Sequence, residues 1–323
     1  MKVFYSPYEL IPDAGTVLNS RGATENKGSL LKVEFPNGTI GYSDLRPHPE
    51  LGDQDLKFHL KSLDQQQPTI QAKKSLFFAE IDAKARASNE SLFKNLKLPQ
   101  THYAAGSLAN FRIEQTQTIT ESGYTHIKFK TGIDLVKERY NLSELLKQCE
   151  SLSVRLDFNE SLSSTQFINW LEAFKPDELC RIDFIEDPFR FEQEAWSKIK
   201  NVSLGIDRQV SPKVVKDKPW LIPVIKPAIN DLSVFFKEPA KQRIIFTNYM
   251  DHPLGEMAAI FESAKYYQET HTTIQTCGLR TSHLFKSSAY SELILGSGPE
   301  LKTAEGFGLG FDQLLEQEPW QIL

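Results

Sequence analysis

The sequence predicts an α/β barrel with a smaller α+β module in front of it. Three observations carry that reading. Short runs rich in β-branched or aromatic residues recur from His126 onward, with amphipathic helical stretches between them. Their ends fall at residues 130, 157, 186, 207, 226, 248 and 277, in steps of 27, 29, 21, 19, 22 and 29 residues. Each step has room for one strand, one helix and two loops. The chain has 323 residues, more than the roughly 250 of a plain barrel, so an appendage is expected. The first hundred residues show no such alternation. Seven or eight units in a row favour closure into a barrel, with an open doubly wound sheet as the alternative.

The N-terminal module spans residues 1–99. Leu30–Phe35 and Thr39–Ser43 flank Pro36-Asn37-Gly38. Asn-Gly between alternating runs predicts a tight hairpin turn with both central residues at positive φ. Residues 12–28 are polar and punctuated by glycine, which predicts a loop. Helical patterns follow near 54–64 and over 74–95, where Leu76, Ala79, Ile81 and Ala83 stand among charges.

The barrel spans residues 100–295. Its expected strands are His126–Lys130, Ser153–Asp157, Arg181–Glu186, Val202–Asp207, Leu221–Lys226, Arg243–Asn248 and Thr272–Cys277, with Tyr103–Ser107 a weaker first member. Helices are expected at 133–149, 163–174, 191–200 and 254–268. Residues 296–323 change texture again. Glu305–Gly310 is Gly-rich, but no helix follows a strand there as a dinucleotide fingerprint requires. It reads as a loop returning to the N-terminal module.

Composition excludes several function classes. Hydrophobic residues make up 40%, with 21 Phe, enough for a large core. A net charge of −5 gives neither a basic nucleic-acid footprint nor a polyacidic tail. The N-terminus has no signal-like apolar run, and no stretch approaches the roughly 18 apolar residues of a membrane span. Cys149, Cys180 and Cys277 fall in no pairing pattern and are expected to be buried, reduced thiols, so the cytoplasm is the expected compartment. No obligatory protein partner is expected.

Charge placement then points to chemistry. Lys130, Asp157, Glu186, Asp207 and Lys226 close five consecutive strands after mostly apolar runs. Strand C-termini of a barrel converge on one face, where its active site lies. Burying these charges costs several kcal/mol each unless they are paired or bound to metal. Three carboxylates on adjacent strands are hard oxygen ligands suited to Mg²⁺, with Mn²⁺ as a substitute. The seven His form no cluster for zinc, and His126 lies inside a strand, more in keeping with the core than with a ligand. Lys128 and Lys130 are two apart and share a side of their strand. An interior lysine beside a cation has a depressed pKa and can serve as a general base. The pattern suits proton abstraction next to a metal-bound carboxylate.

The ordered set Lys128-x-Lys130, Asp157-x-Asn159, Glu186-Asp187-Pro188, Asp207 and Lys226-Pro227 resembles the enolase superfamily, in its muconate lactonising subgroup. Within that subgroup it is similar to the o-succinylbenzoate synthase family, a resemblance supported by Arg21, Gly28-Ser-Leu-Leu, Arg155 and the Gly-rich stretch 306–310. The resemblance covers nearly the whole chain. It implies a modified (β/α)7β TIM-like barrel with an N-terminal capping domain completed by the C-terminus. It implies that Asp157, Glu186 and Asp207 bind Mg²⁺. Lys130 would remove an α-proton and return it to the departing hydroxyl, in a syn loss of water serving menaquinone biosynthesis. Lys226 would remain cationic over the ring. Lys128 would sit against the metal-bound carboxylate, with Asn159 and Asp187 orienting the ligands.

For substrate binding the resemblance implies the cap loop 19–28, with Asn19, Ser20 and Arg21 closing over the site. It also implies Asn248, Met250 and Gly255 after the seventh strand. Arg155, interior by alternation with Asp157, either reaches a substrate carboxylate or pairs with a barrel acid. The chain departs from the family pattern at 248–255, at Arg208-Gln209 where an acid usually follows the third ligand, and after Lys226-Pro227, where no Gly-Gly occurs. Three readings compete: the dehydratase; another two-lysine enzyme such as an N-acylamino-acid racemase, dipeptide epimerase or cycloisomerase; and a non-catalytic barrel. Thr272–Gly278 contains no acid, which argues against a dipeptide epimerase, and no ligand or lysine of the set is missing, which argues against the last.

Overall fold

The computed structural model describes residues 1–13, 26–237 and 242–323. In the N-terminal part, β1 (Lys2–Glu9), β2 (Lys27–Glu34) and β3 (Ile40–Leu45) form an antiparallel sheet. The sequence reading contained β2 and β3 but not β1, whose Pro7 and near-continuous mixed polarity hide it. The hairpin between β2 and β3 is a three-residue loop rather than a two-residue turn. Phe35 N donates to Thr39 O at 2.9 Å, and Gly38 has a φ of 82°. Asn37 instead uses its side chain, accepting from Thr39 N at 3.2 Å and Thr39 Oγ1 at 2.8 Å.

Two helices cover this sheet. α1 (Leu56–Asp64) is capped by Asp55, which accepts from Phe58 N at 2.7 Å, and α2 (Ile70–Ala87) by Thr69, which accepts from Ala72 N at 3.1 Å. Buried Ala79 and Ala83 let α2 press on Gly41 of β3, where an added Cβ would stand 2.8 Å from Ala83 Cβ. Val3, Leu31, Leu45, Leu63 and Ala72 form the core of the module.

The barrel wall follows in chain order: β4 (Tyr103–Ser107), α3 (Gln115–Glu121), β5 (His126–Lys130), α4 (Leu135–Gln148), β6 (Ser153–Asp157), α5 (Ser164–Leu171), α6 (Pro176–Leu179), β7 (Ile182–Glu186), α7 (Gln193–Ser197), β8 (Leu204–Ile206), α8 (Pro212–Val215), β9 (Leu221–Ile225), α9 (Ser233–Lys237) and β10 (Ile245–Phe246). The seven strands are parallel and neighbour one another in that order. The short steps from 186 to 248 leave room only for one-turn helices, α7, α8 and α9. The expected eighth strand, Thr272–Cys277, is reduced to bridges at its end. His102 N donates to Cys277 O and Cys277 N to Gln100 O, both at 2.7 Å, while Gly278 N donates to Phe246 O at 2.8 Å. These bonds join β10 back to the segment before β4 and close the ring.

The longest barrel helix, α10 (Pro253–Thr270), is buried on nearly every side between the wall and the cap. Its Glu262 receives Lys74 of α2 at 3.1 Å from both oxygens. After α11 (Ala289–Ile294) the chain crosses to the cap. Asp82 accepts from Leu309 N at 2.6 Å and from Tyr42 N at 2.8 Å, and Arg86 reaches Asp82, Asp312 and Gly310 O. Beyond α12 (Asp312–Gln317), β11 (Gln321–Ile322) pairs with β1. All three cysteines are free, and Cys180 is exposed rather than buried because it ends α6 at the surface. Among the described residues no helix is long and apolar enough to cross a membrane.

Candidate active site

Parallel register delivers the charged strand ends to one place. Lys130 pairs with Asp157, and Asp157 with Glu186, as neighbours across β5, β6 and β7. Asp207 and Lys226 are the residues that follow β8 and β9. These five, with Lys128, line a single cavity of about 330 Å³ under the cap. Alternation along β5 points Lys128 and Lys130 inward while Ile127 and Phe129 pack outward in the core.

Inside the cavity each ammonium meets a carboxylate. Lys130 Nζ donates to Asp157 Oδ2 at 2.6 Å. Lys128 Nζ lies 2.6 Å from Glu186 Oε2 and 3.1 Å from Asp157 Oδ2. Lys226 donates to Asp207 Oδ2, and its Nζ stands 5.8 Å from the centre of the Tyr249 ring. Burial alone would raise Asp157, but the ammonium groups of Lys128 and Lys130 hold it well below the carboxylate range. Glu186, more burdened by burial and by the neighbouring Asp157, is pushed up to about 6. Lys128 and Lys226 hold their protons more firmly than an ordinary lysine. Burial does push both down, but Asp157 and Glu186 raise Lys128, and Asp207 and Glu186 raise Lys226.

The loops just beyond the strands are held in unusual backbone. Asn159, Glu160 and Asp187 have φ of 51°, 59° and 41°. Such left-handed residues are uncommon outside glycine and gather at functional sites. Asn159 N donates to Asp157 Oδ1 at 3.1 Å. The Asp187 carboxylate accepts from Asp207 N at 3.3 Å and from Arg208 N at 2.9 Å, which fixes the turn that carries Asp207. Burial, then Asp207 and Glu186, push Asp187 well up. The Asp187 carboxylate thus holds the turn at Asp207, while Asn159 touches Asp157 only through its backbone N.

The three acids share a cavity but not a common point. Among the described residues no three His, Cys, Asp or Glu side chains stand together as a metal-ligating group. The reason is visible in the contacts: each carboxylate is turned onto a lysine. The donor set itself, three carboxylates from adjacent strand ends, is the chemistry a hard divalent cation takes.

The substrate-binding expectations divide. Asn19, Ser20 and Arg21 lie outside the described residues. Asn248 and Met250 line the cavity. The Asn248 amide is engaged, with its oxygen accepting from Met250 N at 2.6 Å and Thr281 Oγ1 at 2.9 Å, so it shapes the wall more than it offers a free group. Arg155 does not line the cavity. It takes the barrel-acid alternative, donating to Asp183 Oδ2 at 2.7 Å, with His102 Nδ1 3.0 Å away. Gly255 is not in the lining either. It lies against the cap, where an added Cβ would stand 2.5 Å from Asp44 Oδ2. His126 faces the Arg155–Asp183 network, and burial, then Arg155, hold it down at about 4.

The sequence reading missed the cap's contribution from residues 46–53. His48 Nδ1 contacts Glu50 at 2.8 Å and its Nε2 contacts Tyr249 O at 2.7 Å, while Tyr249 Oη donates to Asp53 Oδ2 at 3.0 Å. This loop lays His48, Glu50 and Asp53 over the mouth of the barrel. Arg46-Pro-His-Pro directly after a strand was the available signal, since Pro47 cannot continue the strand pairing and Pro49 can only open a helix, here the single 3-10 turn Pro49–Leu51, which leaves polar side chains on a fixed connection.

Comparison with known proteins agrees with this architecture. Residues 3–85 match the family model described as the N-terminal domain of O-succinylbenzoate synthase. A curated o-succinylbenzoate synthase from Bdellovibrio bacteriovorus is 30% identical over 330 residues, covering 100% of this chain and 99% of that protein. A crystal structure of o-succinylbenzoate synthase from Thermosynechococcus elongatus BP-1, complexed with Mg in its active site, superposes with a TM-score of 0.68 at 21% identity, covering 86% of this chain and 92% of that one. An N-succinyl Arg/Lys racemase from Bacillus cereus superposes with a TM-score of 0.77 at 14% identity, covering 100% and 99%. These structural likenesses share the barrel and cap.

Proposed function

The chain belongs to the o-succinylbenzoate synthase family, and from that premise we propose that it is a carbon–oxygen lyase of menaquinone biosynthesis. It removes water from 2-succinyl-6-hydroxy-2,4-cyclohexadiene-1-carboxylate, leaving the aromatic o-succinylbenzoate. One observation carries the reading: Lys130 from β5 and Lys226 after β9 enter the same cavity with the three acids on the strands between them.

Asp157, Glu186 and Asp207 would hold Mg²⁺, with Mn²⁺ as a substitute. When bound, the cation would supply Lewis-acid stabilisation of charge growing on the substrate carboxylate. Lys130, as the free amine, takes the proton from the carbon bearing that carboxylate. The C–H electron pair forms the new ring double bond as the C–OH bond on the adjacent carbon breaks, and Lys130 returns its proton to the departing hydroxide. Using one base on one face makes the elimination syn. Lys226, as an ammonium, stabilises the negative charge that develops, and Lys128 adds positive potential beside Glu186. The cap loop 46–53 closes the mouth and limits water. Its free thiols support a cytoplasmic reading.

Two lysines in one cavity also suit 1,1-proton transfer, so an N-acylamino-acid racemase activity is the second reading. Both are tested by assaying the purified chain, before and after chelation, with the cyclohexadiene substrate and with single enantiomers of N-succinyl amino acids. Dehydration lost to EDTA and regained with Mg²⁺ is expected. Dehydration that persists fully in thoroughly chelated protein refutes the metal role, and racemisation without dehydration refutes the lyase.

A further inference from the structure

We infer that Arg208 anchors a second carboxylate of the substrate, on the side of the mouth away from Lys128 and Lys130. The inference rests on the dehydratase reading only in that its substrate carries two carboxylates. Arg208 follows Asp207 and lines the same cavity. Its position is fixed from several sides. Its backbone N donates to Asp187 Oδ2 at 2.9 Å, Gln209 Nε2 donates to Glu160 Oε1 at 3.1 Å, and Glu160 N donates to Asp187 O at 2.7 Å. The loops after β6, β7 and β8 are therefore tied into one rim.

What distinguishes Arg208 is that its charge is unspent. Lys128, Lys130 and Lys226 each contact a carboxylate of the cavity. Arg208 makes no ion pair among the described residues, and its Nε is buried without a hydrogen-bond partner there. Asn159 Nδ2, on the rim loop tied to that of Arg208, is likewise buried and unpartnered among the described residues. A buried donor left unmade is costly, and a ligand that brings an acceptor removes the cost. A guanidinium offers a planar fork that matches a carboxylate two bonds at a time.

The spacing suits the substrate. β8 is three strands from β5, about 14 Å along a sheet at the usual strand spacing and less across a curved mouth. The ring carboxylate can lie at the acids and Lys128 while the flexible succinyl arm extends toward β8.

The test pairs kinetics with binding, both in Mg²⁺. Arg208→Gln and Arg208→Lys are assayed with the cyclohexadiene dicarboxylate. Calorimetry then measures o-succinylbenzoate and its analogue whose arm carboxylate is a primary amide. Arg208→Gln should raise KM and the Kd of the diacid about 10- to 100-fold, the worth of a charged hydrogen-bond pair. Its kcat should stay within about threefold, its Kd for the amide should not move, and Arg208→Lys should recover part of the loss. An unchanged KM and Kd in Arg208→Gln overturns the anchor, as does an equal loss for diacid and amide. Should Arg208→Gln not fold, wild-type protein that binds diacid and amide equally overturns it too. Wild-type protein that prefers the diacid but turns over no substrate overturns the dehydratase reading and supports the anchor.

Discussion

Replacing Glu256 by Gln should stabilise the protein, and more so at high pH. Glu256 sits in the first turn of α10 and is 1% exposed. Its Oε2 accepts from Thr281 N and Ser282 N, each at 3.1 Å, and so clasps the segment that follows the closing bridges of the barrel. Burial pushes its carboxyl from an ordinary 4.5 up to about 7, against the lowering effect of those two amides. The folded protein therefore holds this proton more tightly than the unfolded chain does. Stability is greatest below 4.5 and falls as pH rises to about 7, with the full cost present above that. At ~1.4 kcal/mol per pH unit of that gap, the cost is ~3 kcal/mol at pH 8 and ~1 kcal/mol at pH 5. Gln keeps an oxygen for both amides and cannot ionise. With an unfolding entropy of ~2 cal/mol/K per residue, Glu256→Gln should raise Tm by about 5 °C at pH 8 and about 1 °C at pH 5. Thermal melts followed by circular dichroism at matched ionic strength read both values. A Tm at pH 8 below that of the wild type, or an increment equal at the two pH values, would refute the reasoning and show that the buried carboxylate is ionised and stabilising.

Other consequences can be checked alongside. Lys74→Met strands the buried Glu262 carboxylate between α2 and α10, and should cost ~3–5 kcal/mol in urea unfolding at pH 8. The double variant Lys74→Met/Glu262→Leu should recover most of that loss; no recovery would mean that packing, not charge, sets the effect. Gly255→Ala should cost ~1–3 kcal/mol, since the new methyl would stand 2.5 Å from Asp44 Oδ2 and 2.7 Å from Asp251 Cβ. A Tm within a degree of the wild type would show that the cap yields easily there.

Much of this architecture was legible because chemistry interrupts pattern. Lys130, Asp157, Glu186, Asp207 and Lys226 each end a short apolar run, and a charge at that position marks both a strand end and the functional face of a barrel. Spacing alone then predicted parallel neighbours, and the register of β5, β6 and β7 is the one that spacing implies. Other features depend on contacts that no local pattern encodes. Arg155 alternates with Asp157 and so reads as interior, but alternation alone does not choose between a substrate carboxylate and a barrel acid, and Asp183, the second residue of β7, takes it. Gly255 reads as pocket lining, but its small size serves the approach of Asp44 from a segment some two hundred residues earlier. The strand at β10 is shorter than its apolar run, and Thr272–Cys277 closes the barrel with bridges rather than a full strand. β1 could be found only through its partner, because its eight residues pair along the whole of β2.

The unequal roles of the two lysines are tested most directly by replacing each with arginine, which keeps the positive charge but does not release its proton. Initial rates with the cyclohexadiene dicarboxylate, in Mg²⁺ and with folding checked by circular dichroism, give the answer. If Lys130 carries the proton and Lys226 only stabilises charge, Lys130→Arg should lose ~10³-fold or more in kcat, and Lys226→Arg should retain measurable turnover, within about 100-fold of wild type. Near-wild-type turnover by Lys130→Arg, or a loss in Lys226→Arg as complete as that in Lys130→Arg, would contradict the assignment.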